Sequence, residues 1–417
     1  LDGMKLTFEK TYVYSLLFMV TLWIPIPKLS SPSIALFAFV VIYGVWKKKL
    51  SFQWNWILFS LFALYVLYSL YVIPSQHIHS GLKYLEYKLS LLVFPVLFSF
   101  RPTFAIDRKK ILNAFSLACF ILGLFYVFQS LYHFWTTGQT SYFHSSLFAS
   151  NHHPSYVAAF FSFVIYYLFI EFPRMTSKVW KNTSIGIMVF LMVLHLPLES
   201  LSGIIVLGFL LTNVVLGWAW KNFSKWVFCS FLLGGILSIQ LLFWIKPSLQ
   251  DNLSHTSTLV TRYLQSPSNF IKEHPAGMSG NQSRLVIWTI TGEIIAEHPL
   301  GVGLGDLEDE MQQKLAVLNQ TELMEKNYNP HNQFLQIFAE IGLIGILLFI
   351  TVLFLCVRQA RKQKDALFLF LILSLMINSL FESMLQRQSG IVFYIVFIAL
   401  FATILPKQSV QQLEPEA

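Results

Sequence analysis

Apolar runs long enough to enter a lipid bilayer recur along almost the whole of this chain, and no other feature limits its fold so tightly. A helix needs about 20 apolar residues to cross the hydrocarbon. Twelve candidate spans are found, at roughly 11–27, 34–46, 54–74, 84–100, 111–134, 156–172, 183–198, 203–219, 226–245, 333–356, 366–381 and 390–405. Only 12% of the 417 residues are charged, against about 25% in an ordinary soluble domain. The mean hydropathy of +0.60 agrees. The expected fold is all-α: a polytopic membrane bundle of about 12 transmembrane helices with an extracytoplasmic helical lid. Spans 2, 7 and 11 are short. The first span carries no cleavable signal pattern and is expected to stay as a helix.

The formal charge of +8 takes its meaning from where it sits. With the N-terminus inside, the inner segments hold 19 of the 29 Lys and Arg residues, and six of the outer ones lie in one long loop. That is the positive-inside pattern, which places both termini in the cytoplasm. The basic residues are scattered over short loops at one membrane face, so a nucleic-acid partner is disfavoured. Cys119, Cys229 and Cys356 all fall in apolar spans and read as buried small hydrophobes, not a disulfide framework.

Most connections are short, as antiparallel neighbours require. Residues 246–332 break that pattern, and loops of such length are usually functional or disordered. The chain therefore divides into helices one to nine (1–245), a large outer loop or lid (246–332), helices ten to twelve (333–405) and a polar inner tail (406–417). Within the loop, 247–281 is rich in Ser, Asn, Pro and Gly and should be irregular. Ser283 is a plausible N-cap for a helix reaching about Glu297, with apolar positions at 287, 290, 294 and 295. Arg284 and Trp288 are one turn apart on it and share a face. His298-Pro299 ends this helix, and Gly301, Gly303 and Gly305 permit tight turns. A second polar helix is expected over 306–325.

Asn329-Pro330-His331-Asn332 closes the loop and sets an imidazole at the mouth of the tenth span. Ionisable groups at such a boundary are costly to desolvate and are functional candidates by default. Histidine is the side chain best suited to move a proton near neutral pH. Asn332 serves either a site hydrogen bond or the helix cap. Glu382-Ser383 and Arg387-Gln388 form a polar cluster in the last outer loop, facing the same side, and read as a cavity wall. The acidic run Glu308-Asp309-Glu310 reads as an exposed helix face, because it lacks a companion carboxylate pattern. No P-loop, dinucleotide fingerprint or Cys/His zinc pattern is present, so no metal and no cofactor is expected.

Three motifs occur in a telling order. His153-Pro154-Ser155-Tyr156 opens span six. Arg284 and Trp288 precede His298-Pro299-Leu300-Gly301-Val302-Gly303-Leu304-Gly305. His331-Asn332-x-x-Leu335-Gln336 is followed by Glu340-x-Gly342-x-x-Gly345. Together they resemble the O-antigen ligase and O-antigen polymerase superfamily. The resemblance implies a transferase in the bacterial inner membrane, with a periplasmic active site and a glycan on undecaprenyl diphosphate as donor. In ligases the acceptor is lipid A–core oligosaccharide, in polymerases another lipid-linked repeat unit, and related members glycosylate proteins. A ligase is the first expectation and a polymerase the second.

The family's outer-loop arginine maps onto Arg284 and its essential histidine onto His331. The chemistry suits those residue types. A diphosphate leaving group develops negative charge, which a planar, permanently charged guanidinium matches. His331 takes the proton from an acceptor hydroxyl or positions a substrate by hydrogen bonding. Attack opposite the diphosphate would invert the anomeric centre, without a metal. Arg262, Trp288, Asn332, His153, Glu340, Arg387 and Glu382 are the further substrate-binding candidates. Against each stands a plainer role: a surface charge for Arg262, a helix cap for His153, a structural carboxylate for Glu340.

One departure stands out. The family's arginine at the outer end of span eight corresponds to Leu201 in Glu199-Ser200-Leu201-Ser202-Gly203. Arg262, Lys88 and Arg387 are the cations that could substitute. Two other classes compete with this reading. A carrier would fit twelve helices, but no half-to-half repeat or paired broken helices are evident. A non-catalytic assembly scaffold would be indifferent to loss of Arg284 and His331.

Overall fold

Chain that lies in lipid must pair its own backbone groups, and helices do this segment by segment. In the computed structural model the described residues are correspondingly 78% helix and 2% strand, against about 30–35% helix in an average globular domain. It describes residues 7–222, 258, 261–273, 280–326 and 328–404. These fall into two compact units. The first runs to Val206 and takes in His298–Asp306 and the chain from His331; the second takes in the chain from Leu207 to Glu297 and from Leu307 to Pro330.

The helices in chain order are α1 (Phe8–Thr21), α2 (Ser30–Trp46), α3 (Trp56–Leu70), α4 (Ile78–Tyr87), α5 (Ser90–Ser99), α6 (Arg108–Thr137), the short α7 (Ser145–Phe148), α8 (Pro154–Glu171), α9 (Lys178–Val193), the short α10 (His195–Leu198) and α11 (Leu201–Asn222), within which the boundary between units falls. Then come α12 (Pro267–Glu273), α13 (Gly280–Glu297), α14 (Leu307–Val317) and α15 (Thr321–Lys326) of the second unit, and α16 (Gln333–Lys362), α17 (Ala366–Ser379) and α18 (Gln388–Thr403) of the first. Strands β1 (Leu50–Phe52) and β2 (Phe100–Pro102) pair antiparallel with Ser51 opposite Arg101, a small clasp that the apolar pattern gave no reason to expect.

Among the described residues, Pro27–Trp46, Arg108–Thr137, Pro154–Arg174, Lys178–Leu198 and Gln333–Lys362 are long and apolar enough to cross a membrane. Shorter apolar helices include Trp56–Leu70, Ser90–Ser99, Ala366–Ser379 and Gln388–Thr403. Helices cover predicted spans one to eight and ten to twelve; the ninth, 226–245, lies outside the described residues, as does the polar tail. Span four differs from its prediction, because it is divided at Lys88 into α4 and α5.

Two helices are buried on nearly every face, α8 and α18, the pattern of a helix at a bundle centre. Lipid tails compete with apolar side chains, so packing rather than water exclusion must hold such a centre. Phenylalanine rings supply it: Phe115 meets Phe397 edge-on at 4.8 Å between centroids, and Phe160 meets Phe393 at 4.8 Å. At one end of α17, Asp365 caps the helix by accepting from the Phe368 amide and pairs with the Arg108 guanidinium, which lies over the Phe401 ring.

The second unit has its own small apolar core, formed by Phe270, Ile271, Val286, Ile287, Ile290, Ile294, Met311, Leu315 and Leu323. Its main helix begins at Gly280, one turn ahead of the expected start. Ser283 is accordingly buried inside the helix and is not its cap. The single polar helix expected over 306–325 is two, separated where Asn319 takes a left-handed backbone with φ of 55°.

A break in α16 shapes the first unit. Ile341 and Gly342 leave helical geometry, with Gly342 at φ 65° and ψ −165°, a region open essentially only to glycine. The carbonyls freed by the break are taken up by the glycine-rich segment: Val302 N–H donates to the Ala339 carbonyl at 2.9 Å and Gly303 N–H to the Glu340 carbonyl at 3.1 Å. Leu343 N–H in turn donates to the Pro299 carbonyl at 3.0 Å. On its other side Leu304 N–H donates to the Tyr71 carbonyl at 3.0 Å. Asp306 then clasps the start of α4, accepting from the Ser75 hydroxyl (2.8 Å), the Gln76 amide (2.9 Å) and the His77 amide (3.0 Å). Burial pushes the Asp306 carboxyl up, and these bonds, with one from the His77 ring, outweigh it and hold the pKa below its ordinary value.

Candidate functional site

α16 begins where Asn332 turns the chain into the helix. Its side-chain oxygen accepts from the Phe334 and Leu335 amides at 3.0 and 3.1 Å, so the capping role is realised. Its amide nitrogen donates to the Leu380 carbonyl at 3.2 Å, tying the helix start to the loop between α17 and α18. His331, directly ahead of the cap, has φ of 45°. A left-handed backbone at a non-glycine residue costs about 1 kcal/mol or more and persists where surrounding bonds hold it, often at functional sites.

His331 Nδ1 lies 3.0 Å from Glu382 Oε2. The pair is mostly enclosed, with side chains 21% and 10% exposed. Donation from Nδ1–H to the carboxylate fixes the ring's orientation and leaves the lone pair of the neutral ring at Nε2, the arrangement of a proton acceptor held by a carboxylate. From sequence, Glu340 could either serve a structural role or orient His331. Here Glu382 holds that place, and Glu340 accepts from Gln336 Nε2 at 2.6 Å and from Gln386 Nε2 at 2.7 Å. Gln336 is linked to the loop between α17 and α18 by Ser383 Oγ at 3.4 Å, and Gln333 Oε1 accepts from the Leu385 amide at 2.6 Å. Beneath the His331–Glu382 pair the start of α16 and residues 382–386 are thus stitched together by side chains.

The other predicted residues are placed as follows. His153 caps α8, its ring accepting from the Ser155 amide at 3.4 Å, and lies against Tyr156. Arg387 is exposed at the N-terminal flank of α18. Leu201 is 45% exposed at the start of α11, beside a hydroxyl cluster in which Ser200 Oγ reaches Ser155 Oγ at 3.1 Å. Lys88, one of the cations offered in place of the arginine at Leu201, is fully buried. Arg262, Arg284 and Trp288 belong to the second unit. Arg262 is exposed; Arg284 and Trp288 are half-buried on α13. Trp288 donates its indole N–H to the carbonyl of Pro330 at 2.9 Å, the residue that precedes His331 in the chain.

The Asp306 clasp was not legible in the sequence, whereas His152, like His153, could be read there as lining the cavity or capping span six. His152 is buried, with Nδ1 2.7 Å from Ser389 Oγ and Nε2 2.7 Å from the Ile24 carbonyl. Burial pushes its pKa down to about 4, against the carbonyl bond, which favours the protonated ring. A neutral ring donating from Nε2–H and accepting at Nδ1 satisfies both partners.

Helices of membrane-crossing length, a broken helix seated on a glycine-rich segment, and a carboxylate-held histidine at its mouth define a multi-pass helical membrane protein with an ionisable site at one face. Residues 196–350 match the family model described as O-antigen ligase. The match takes in Arg284, the 298–306 segment, His331, Glu340 and the α16 break; Glu382, Lys88 and His153 lie outside it. No curated protein matches the chain.

Proposed function

We propose that the protein is an O-antigen ligase-type glycosyltransferase, which moves a glycan from undecaprenyl diphosphate to lipid A–core oligosaccharide at the periplasmic face of the inner membrane. The observation that carries the reading is the His331–Glu382 pair at the mouth of α16, inside a chain whose residues 196–350 match the O-antigen ligase model. His331 Nε2 takes the proton of an acceptor hydroxyl as its oxygen attacks the anomeric carbon. The bond from that carbon to the diphosphate oxygen breaks, and the electron pair leaves with the polyprenyl diphosphate. The configuration inverts. Glu382 stabilises the imidazolium as it forms. The leaving-group role of Arg284 is carried over on the motif alone, and a permanently charged fork suits it. The donor is already activated as a diphosphate ester, so the reaction as written uses no nucleotide and no metal.

In-vitro transfer with purified protein, a lipid-linked glycan donor, and lipid A–core added or withheld tests this. A product on lipid A–core that disappears in His331→Ala is the expected result. A ladder of lipid-linked products made without core would establish a polymerase instead. Transfer that survives in His331→Ala would overturn the site.

A further inference from the structure

The buried Lys88 takes no part in the chemistry proposed above and has no exposure through which it could meet a substrate. A lysine inside an apolar helical bundle is costly to keep, by several kcal/mol unless it is paired, and a methionine would fill a similar volume without that cost. Its surroundings are specific. Nζ donates to Gln386 Oε1 at 2.6 Å, lies 3.9 Å from Glu340 Oε2, and sits over the Tyr68 ring at 4.6 Å from the centroid. Lysine can only donate, so this bond fixes the orientation of the Gln386 amide, whose nitrogen then donates to Glu340 Oε1 at 2.7 Å.

Gln386 belongs to residues 380–387, which carry no regular secondary structure. At the start of this segment the Phe381 and Glu382 amides donate back to the Asn378 carbonyl of α17 at 3.0 and 2.9 Å; farther on, the backbone bonds stay within the segment, Met384 N–H to the Glu382 carbonyl at 2.9 Å and Gln386 N–H to the Ser383 carbonyl at 3.1 Å. From Ser383 onward, side-chain bonds join the segment to other elements: Ser383 to Gln336, Leu385 to Gln333, and Gln386 to both Lys88 and Glu340. Glu382 stands at the head of the same segment. Lys88 is therefore the point at which the junction of α4 and α5, Tyr68 of α3 and Glu340 of α16 are joined to the loop that carries the carboxylate partner of His331.

We propose that Lys88 is a positioning residue, which acts through Gln386 to hold the 382–386 segment so that Glu382 meets His331. The inference rests on the proposed reaction for its catalytic consequence, but the placement itself is open to measurement without it. Misplacing a catalytic partner by about 1 Å can cost on the order of 100-fold in rate.

The test uses the full-length protein in reconstituted membranes. Lys88→Met combined with Glu340→Gln removes both charges and leaves no orphaned carboxylate; Gln386→Leu, tested separately, cuts the link to the loop while keeping the Lys88–Glu340 pair. Either change is expected to lower kcat about 10- to 100-fold with KM for donor and acceptor within about twofold. In a Glu382→Gln background the same changes are expected to cost less than about threefold, because they act through the carboxylate already lost. A merely structural role would multiply, giving the same fold-loss in both backgrounds, and that result would overturn the proposal. A second readout needs no activity. With the native cysteines replaced by alanine, cross-linking of His331→Cys to Glu382→Cys by a short bifunctional thiol reagent should slow when Gln386→Leu is added. Unchanged cross-linking would overturn the positioning role. If cross-linking responds but the otherwise unmodified protein transfers no glycan, the proposed reaction falls and the positioning role stands.

Discussion

At the scale of single residues, the His331–Glu382 pair separates charge from hydrogen bonding. Glu382→Gln keeps an acceptor for Nδ1–H but no longer stabilises an imidazolium. It is expected to lower kcat about 100-fold, the lower end of what a positioned base contributes, with little change in KM; steady-state kinetics on the purified variant would check this, and wild-type turnover would remove Glu382 from the mechanism. His152 supplies a second expectation. Its ring titrates near 4 in the folded protein and near 6.5 when unfolded. Below pH 6.5 the unfolded chain therefore binds a proton that the folded one refuses until about pH 4, so this stabilisation is complete above pH 6.5 and is lost on descent through that window. The full loss is on the order of 3 kcal/mol. Thermal unfolding between pH 7 and 4 should show a shallower acid decline in His152→Gln than in wild type; parallel declines would contradict it. How much of this was legible differs residue by residue. His331 announced itself as an imidazole at the mouth of an apolar run. Glu382 was legible as a cavity-wall candidate but its pairing with His331 was not, because it lies 51 positions away along the chain, and pairing across two helices leaves no local pattern. Lys88 read as a substitute phosphate contact because a lone lysine at the edge of a span looks like a surface cation; only its three-dimensional neighbours make it a buried one.

At the scale of elements, the break in α16 and the segment that fills it are one device. The glycine run was legible as a set of tight turns, and the order of motifs was legible too. The reason for the order was not: the glycines let backbone approach backbone, as at Gly301, where an added Cβ would meet Gly342 N at 2.6 Å. At Gly342 an added Cβ would overlap the Leu300 carbonyl, and the backbone there is barred to other residues. Gly342→Ala should therefore destabilise the protein by about 3 kcal/mol or more, from backbone strain and displacement of the segment together. Gly186, inside α9 with nothing near its missing Cβ, is the control; there alanine should be neutral or slightly stabilising, by up to about 1 kcal/mol. Similar unfolding midpoints for the two variants would show that the α16 break is not held by this segment.

At the scale of the whole molecule, composition points to the class and charge asymmetry to an expected orientation, because both are sums over many residues and tolerate local error. The boundary of the second unit was less legible: the long loop was read as a single lid, whereas His298–Asp306 belongs with the membrane helices through the backbone bonds to α16 and the Asp306 clasp. Orientation carries the proposed reaction, since it decides on which side His331 meets its substrates. α6 offers a direct check on one rigid element. Its 30 residues span about 45 Å, the full depth of a bilayer with its headgroups. Lys110 is exposed near its start and Thr137 at its end. In a background without native cysteines, a membrane-impermeant maleimide applied to spheroplasts should label Thr137→Cys at once and Lys110→Cys only after permeabilisation. The reverse order would put the start of α6 outside, turn the predicted orientation of every span over, and place His331 on the cytoplasmic side, where transfer to a periplasmic acceptor is impossible.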